Sequence, residues 1–527
     1  MANSPVFLRQ ATGLVRSLNW ADALVMSLAV TGPTYLSYTL QINFVGGVDP
    51  GASILNPSLI GLLFMVPLCI MYYLFTITVP RSGGDYVWVS RTLNPGIGFI
   101  GGWAMWVAFL ALLGGVAVIF ASTVVPVFFA SLGYSWNIPS WVSLASSISS
   151  HPDVVFALAL FDLGCGVLIT SLGAKFYSWT MIILAAVIGV GTVVSLAYLA
   201  TTSNATFISD FNNYGGVATS YQGIMTAASA NGWTFAPIAL GATLVAVPFG
   251  VLQWNGFNYS SYAGGEVKSI KKGMLWGIVM ALVIDAVANL LGMYWGVNMI
   301  GYEFNQASLA LSSSGHWPFA VGPWLSFFEP MVIHNSAALF IVQLGWLLAF
   351  VWWMGSLLFI ASRYVFAFSF DRMLPVAFAD ISARLRFPLK ATALSILIGA
   401  IFIYLSTFTT FIGTFLNSTA IFCIIWVVVS IAAIVLPWRR KDIAAAMPGA
   451  KWPIPLISIV GFASMIAMGA TAYWAFTTPA IGPSTALSDV ILATIFIVGG
   501  IIFAVRYFYL KGRGMDLMKV AAEIPPE

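Results

Sequence analysis

The chain has 527 residues, of which 60% are hydrophobic and 7% charged, and its mean hydropathy is +0.95. This composition excludes a string of soluble domains and points to many membrane spans. The net charge of +4 is too small to call for a nucleic-acid partner, so its meaning lies in where the charges fall.

Residues 1–19 form a short polar tail carrying Arg9 and Arg16. The apolar run that follows has no small-residue cleavage site and reads as a retained helix. Apolar runs predict twelve spans, over 20–45, 57–79, 98–130, 154–173, 177–201, 237–263, 273–300, 336–370, 390–406, 409–436, 453–476 and 486–510. The tail 511–527 closes the chain. Cys69, Cys165 and Cys423 all sit inside apolar runs, with no disulfide or metal spacing to read. The Asn-, Ser- and Gly-rich stretch 202–236 is expected to be a flexible loop. The aromatic stretch 301–335, with HWPFAVGPWLSFFEP, is expected to pack onto the outer face of the bundle as a lid.

Charge placement tests the span count. With the N-terminus in the cytoplasm, all 21 Lys and Arg residues fall on the cytoplasmic side. The outer loops then carry only acids, namely Asp49, Asp153, Asp210, Glu303, Glu329 and Asp489. Removing one span would scatter the basic residues over both faces. The expectation is an all-α membrane protein of twelve helices, with both tails cytoplasmic.

Two spans contradict their own apolar character. The first holds Gly32 and Pro33 at its centre, within AVTGPTYLSY, and proline removes a helical N–H and clashes with the preceding turn. The sixth places Gln253, Trp254, Asn255 and Gly256 near the bilayer midplane. Broken backbone at that depth is tolerated only where protein buries it or a cavity needs it. Spans 1 and 6 open two successive blocks of five, so the second block enters the membrane from the opposite side. That is an inverted repeat, 20–201 against 237–436, and paired interruptions of this kind mark a binding site. Residues 20–436 thus form a ten-helix core, with 453–510 as two additional helices. A broken helix offers free N–H groups to a carboxylate and free carbonyls to an ammonium or a metal cation, so a zwitterion fits both.

Four stretches, TGLVRSLNWADAL, VPRSGGDYVWVSR, NGFNYSSYAGGEVK and SRYVFAFSFDRMLP, resemble the amino acid–polyamine–organocation permeases, which share the leucine-transporter fold. The resemblance spans most of the first ten helices. It implies alternating access, with an amino acid held at the two breaks. By position, the substrate site falls on Thr31, Gly32, Pro33, Thr34 and Tyr35, and on Leu252, Gln253, Trp254, Asn255 and Gly256. Pro33 removes one carboxylate donor relative to the family's glycine-rich break. Leu252 stands where members often place an aromatic gate, which leaves Phe249 or Trp254 for that task.

The resemblance also implies a coupling ion, Na+ or H+, and no other cofactor. Asp162 and Asp285 are the carboxylates well inside the bilayer, and such residues are functional candidates. Asp285 has Asn289 one turn on, a proton or cation site or a structural pair; Asp162 reads as structural. Ser356 lies near the place of the fold's sodium-binding hydroxyl. Arg16 and Asp371 stand where the fold often forms an inner gate pair, with Glu266 joining the gate, capping span 6 or pairing locally with Lys268. The function expected is secondary transport of amino acids in the cytoplasmic membrane, by symport or exchange. The alternative is an amine or polyamine permease, which would need Asp285 to face the site. No HExxH, Ser/His/Asp set or nucleotide loop is present, so an enzyme is not expected. The partners expected are a small-molecule substrate and membrane lipid; the oligomeric state is open.

Overall fold

The computed structural model describes residues 14, 16–31, 35–214, 219–382, 384–385, 387–410, 417–478 and 485–518. Among these residues there are helices and turns but no strands, only two isolated bridges, Leu18 with Val267 and Ser82 with Ala263. Among the described residues, ten helices are long and apolar enough to cross a membrane. The protein is a multi-pass membrane protein.

The chain enters α1 (Trp20–Thr31) through a reciprocal cap. The Asn19 side chain accepts from the Ala21 and Asp22 N–H groups, and the Asp22 carboxylate accepts from the Asn19 N–H at 2.7 Å. After the break comes α2 (Tyr35–Val48), followed by α3 (Asn56–Thr78) and the short α4 (Gly84–Thr92). The long α5 (Pro95–Ser135) contains a π turn at Phe120–Val124. The turn lies just before Pro126, whose missing N–H and ring oppose regular α-geometry there. α6 (Pro139–Ser150), α7 (Pro152–Ser171) and α8 (Ala174–Thr201) complete the first half. The Ser178 hydroxyl on α8 donates to the Asp22 carboxylate, tying α8 to the start of α1.

The stretch 202–236 is not a loose loop. It forms α9 (Asn204–Asn212) and α10 (Tyr221–Ala230), each started by a serine cap, Ser203 and Ser220. Phe207, Phe211 and Tyr221 bury against Phe304, with the Tyr221 and Phe304 rings stacked at 4.2 Å. Polar composition concealed an apolar stripe of three aromatics.

The sixth predicted span is broken into α11 (Leu240–Val245), α12 (Val247–Gln253) and two 3-10 turns, Tyr259–Tyr262 and Gly264–Glu266. Gly256 at φ 124° turns the chain out of α12, a conformation that side-chain-bearing residues rarely adopt. Then come α13 (Ile270–Ile300), α14 (Tyr302–Ser313), the long α15 (Ser336–Phe370) and α16 (Leu389–Phe408). α17 (Ser418–Arg439) starts later than the predicted 409. The Asn417 side chain caps it by accepting from the Ala420 N–H, and residues 411–416 lie outside the described set. α18 (Leu456–Thr477) and α19 (Ala486–Gly512) end the bundle.

Segment 301–335 packs down as expected. Tyr302 and Gln306 bind the carbonyls of the α2–α3 loop, and the Asn43 amide donates to the Pro323 carbonyl at 3.1 Å.

Candidate functional site

α12 is held against α3 more closely than side chains would allow. A Cβ on Gly250 would lie 2.0 Å from the Pro57 carbonyl oxygen, and one on Gly61 would lie 2.3 Å from Gly250 backbone. This glycine pair fixes the half-helix that carries Phe249, Leu252 and Gln253. The Ser58 hydroxyl then donates to Gln253 Oε1 at 2.6 Å, and the Trp254 indole donates to the Ser58 carbonyl at 2.9 Å. Trp254 is thereby buried against α3 and does not line the space beside it.

That space is a cavity of about 200 Å³ where α1, α2, α5, α12, α15 and α17 converge. Phe249, Leu252, Gln253 and Asn255 line it, so four residues inferred from the sixth span come together. Of the first-span residues, Gly32, Pro33 and Thr34 lie outside the described set, as do the side chains of Thr31 and Tyr35. Between Phe249 and Trp254, it is Phe249 that faces the cavity. Its ring stacks on Phe44 at 5.8 Å, and Phe44 meets Trp324 of the 301–335 segment edge-on at 6.5 Å. Phe44 and Phe249 line the cavity, and Trp324 stands against Phe44 beside it.

Trp353 on α15 also lines the cavity, and several lining residues were not anticipated: Gln41 and Phe44 on α2, and Ser418, Thr419 and Phe422 on α17. Gln41 is 4% exposed and its Nε2 has no hydrogen-bond partner among the described residues. A buried unpaired donor is costly, which suits a group left free for a ligand. Its signal was legible, because it lies two turns beyond the Gly32–Pro33 break. Ser418 and Thr419 are exposed to the cavity because α17 begins there, a start the Asn417 cap could have revealed. The positive end of the α17 dipole therefore opens at the cavity wall. Among the described residues, none that lines the cavity is an acid or a base.

The other inferred residues lie apart from the cavity. Asp285 and Asn289 share one face of α13, and the Asn289 amide donates to both the Asp285 carbonyl, at 3.0 Å, and its carboxylate. Ser356 donates directly to the Met26 carbonyl at 2.9 Å, joining α15 to α1. The expected Arg16–Asp371 pair is not formed. Arg16 is exposed, and Asp371 instead receives Arg91 in two bonds of 2.5 and 2.8 Å and the Tyr86 hydroxyl at 2.7 Å. Sequence separation hid this partner: Arg91 is 280 residues away on α4. Glu266 pairs with neither Arg16 nor Lys268; it binds Arg363 through two bonds of 2.7 and 2.9 Å. Among the described residues, no group of three His, Cys, Asp or Glu is placed to hold a metal ion.

A family profile described as Amino acid permease matches residues 18–507. The chain belongs to the amino acid permease family. This is a branch of the amino acid–polyamine–organocation superfamily, as the four stretches implied. The permease is also similar to the methylthioribose transporter of Bacillus subtilis (strain 168), 24% identical over 428 residues, which cover 78% of this chain and 77% of that protein. A shorter similarity, 29% over 103 residues, links it to Uncharacterized protein 399 of Sulfolobus islandicus rod-shaped virus 1. That match covers 19% of this chain and 25% of the viral one. Family membership makes the permease a membrane transporter of a small molecule.

Proposed function

We propose that this permease is a secondary transporter that carries neutral amino acids with apolar or aromatic side chains across the cytoplasmic membrane by alternating access. The observation that carries the reading is the cavity itself: uncharged, walled by Phe44, Phe249, Trp353 and Phe422, and supplied with the amides of Gln41, Gln253 and Asn255. A zwitterion brings its own opposite charges, and the positive end of α17 favours its carboxylate. A cationic amine needs a carboxylate at the site. Asp285 is bonded to Asn289 and does not line the cavity, which counts against the amine alternative.

The proposed architecture is twelve spans, with five-helix repeats over 20–201 and 237–436, two further helices over 453–510, and both tails cytoplasmic. Contacts among the basic residues support one common end. Leu18 pairs with Glu266 and Lys268 backbone, Arg91 binds Asp371, Arg440 binds the Arg91 carbonyl, and Arg506 binds the Arg372 carbonyl. Positive charge gathered at one end marks the cytoplasmic side. We assign Asp371, with Arg91 in place of Arg16, and Glu266, with Arg363, to the inner gate. The Ser356–Met26 bond joins α15 directly to α1, and the coupling ion proposed is H+ or Na+.

A second reading has a specific basis. The relative is named for methylthioribose, a neutral solute with polyol and thioether parts, and amides beside aromatic rings suit such a molecule as well.

The test is counterflow in proteoliposomes with labelled amino acids, amines and methylthioribose, with and without sodium and a pH gradient. Selective uptake of an apolar amino acid, lost when Gly256 is replaced by a bulky residue, supports the proposal. Uptake of methylthioribose alone selects the second reading, and uptake of amines alone refutes both.

A further inference from the structure

A third acid lies at the same end as the two ion pairs, and it has a different kind of partner. Asp85, in the first turn of α4, is 1% exposed. Its carboxylate accepts from the Tyr364 hydroxyl on α15 at 2.6 Å and from the Tyr262 hydroxyl of the 3-10 turn at 3.0 Å. It also accepts from the Tyr72 hydroxyl on α3 at 3.2 Å and from the Tyr86 N–H at 2.8 Å. Four segments of chain thus meet on one carboxylate: the end of α3, the start of α4, the lower half of the broken sixth span and the C-terminal part of α15.

The charged neighbours are engaged elsewhere. On α4 itself, Arg91 is bound to Asp371 at the end of α15. Arg363, next to Tyr364, is bound to Glu266. Arg439 and Arg440, from the end of α17, bind the carbonyls of Leu93 and Arg91. Arg81 is buried in the turn before α4. α5, which also packs on α4, contributes no acid or base. Tyr262 and Tyr364 lie within ring contact of each other at 5.3 Å, so the cage is made of phenols rather than cations.

We propose that Asp85 is a proton-operated latch: one proton bound to its carboxylate favours closure of this end of the bundle, and its release favours opening. This rests on the transporter reading, in which the lower half of the sixth span moves relative to α3 and α15. When that half swings away, Tyr262 leaves and water reaches the carboxylate, which relieves the burial that raises its pKa. In the closed state burial pushes its pKa from 3.8 to about 6, a rise that the Tyr364, Tyr262 and Tyr72 hydroxyls and the Tyr86 N–H only partly offset. The sign follows from linkage. The closed state binds the proton more tightly, so proton-dependent closure is complete below about pH 4 and lost as the pH rises through about 6. The closed-to-open ratio changes by up to about a hundredfold across that window.

The latch is tested by the accessibility of the cage in inside-out membrane vesicles containing the full-length protein. Ser261 is fully buried beside Gly84, and Ser261→Cys is nearly isosteric there. The labelling rate with a membrane-impermeant maleimide is measured from pH 4 to 8 and divided by that of the SDS-unfolded protein at each pH. Labelling that rises with pH, with a midpoint near 6, supports the latch when adding Asp85→Asn makes the profile flat. Tyr364→Phe removes a donor to the ionised carboxylate, so its midpoint moves to higher pH. The same pH profile in Asp85→Asn overturns the proposal. If Asp85→Asn does not fold, an unmoved midpoint in Tyr364→Phe overturns it. A flat parent profile in vesicles that still perform counterflow removes the latch and leaves the transporter reading intact. An Asp85-dependent profile without counterflow of any solute does the reverse.

Discussion

The Glu266–Arg363 pair offers a quantitative test of how the lower half of the sixth span is held. The two side chains are 3% and 0% exposed and joined by bonds of 2.7 and 2.9 Å. The guanidinium lies over the Phe359 ring at 3.8 Å and over the Phe387 ring at 4.5 Å. With charge centres about 4 Å apart and an effective dielectric of about 20, the attraction is about 4 kcal/mol. Desolvation offsets much of this, so the intact pair adds little over an apolar replacement. Removing one member is different, because it strands the other as an unpaired buried charge at about 3–5 kcal/mol. Arg363→Met keeps an apolar stem between the two rings while deleting the charge, and Glu266→Gln keeps the shape of the acid. Each single change is therefore expected to lower stability by about 3 kcal/mol or more. The double variant should recover at least about 2 kcal/mol of the summed loss, the coupling expected of a buried pair. Reversible SDS unfolding of the purified protein in mixed micelles measures all four corners of the cycle. A double variant as unstable as the sum of the singles, or a silent Glu266→Gln, refutes the reasoning.

Other perturbations follow from the same contacts. Gly250→Ala puts a methyl 2.0 Å from the Pro57 oxygen, and forcing the helices apart is expected to cost at least about 1–3 kcal/mol. Counterflow should fall with it, because Phe249, Leu252 and Gln253 shift together; full counterflow in Gly250→Ala would contradict the site geometry. Gln41→Leu removes an unpaired buried donor, so thermal stability should hold or rise while apparent substrate affinity drops by about tenfold, or about 1.4 kcal/mol. Both Asp162 oxygens are buried with no hydrogen-bond partner among the described residues, so Asp162→Val is expected to leave thermal stability unchanged or raised. Asp285→Val, which removes the carboxylate that the Asn289 amide donates to, should lower it by about 1–3 kcal/mol. Equal melting shifts for the two aspartates would show that hydrogen-bond satisfaction is not what separates them.

Composition and the apolar runs alone determined that this is a many-span helical protein, because a bilayer admits few other ways to satisfy the backbone. Helices such as Asn56–Thr78, Ser336–Phe370 and Ala486–Gly512 were legible to within a few residues, since each is a continuous apolar run between polar ends. The interruption at Gln253–Gly256 was legible for the same reason, amides being out of place in such a run. Composition misled where polarity stood in for disorder: α9 and α10 pack on three aromatics set among Asn, Ser and Gly. Only the tertiary structure decided partners. Gln41 and Ser418 reach one cavity from opposite ends of the chain, Arg91 displaces Arg16 at Asp371, and Asp85 gathers hydroxyls from residues 72, 262 and 364. The physical reason is that burial and hydropathy are properties of a residue and its near neighbours along the chain. A hydrogen bond or ion pair depends on which helices the fold sets side by side, and that is fixed by close contacts such as Gly61 on Gly250.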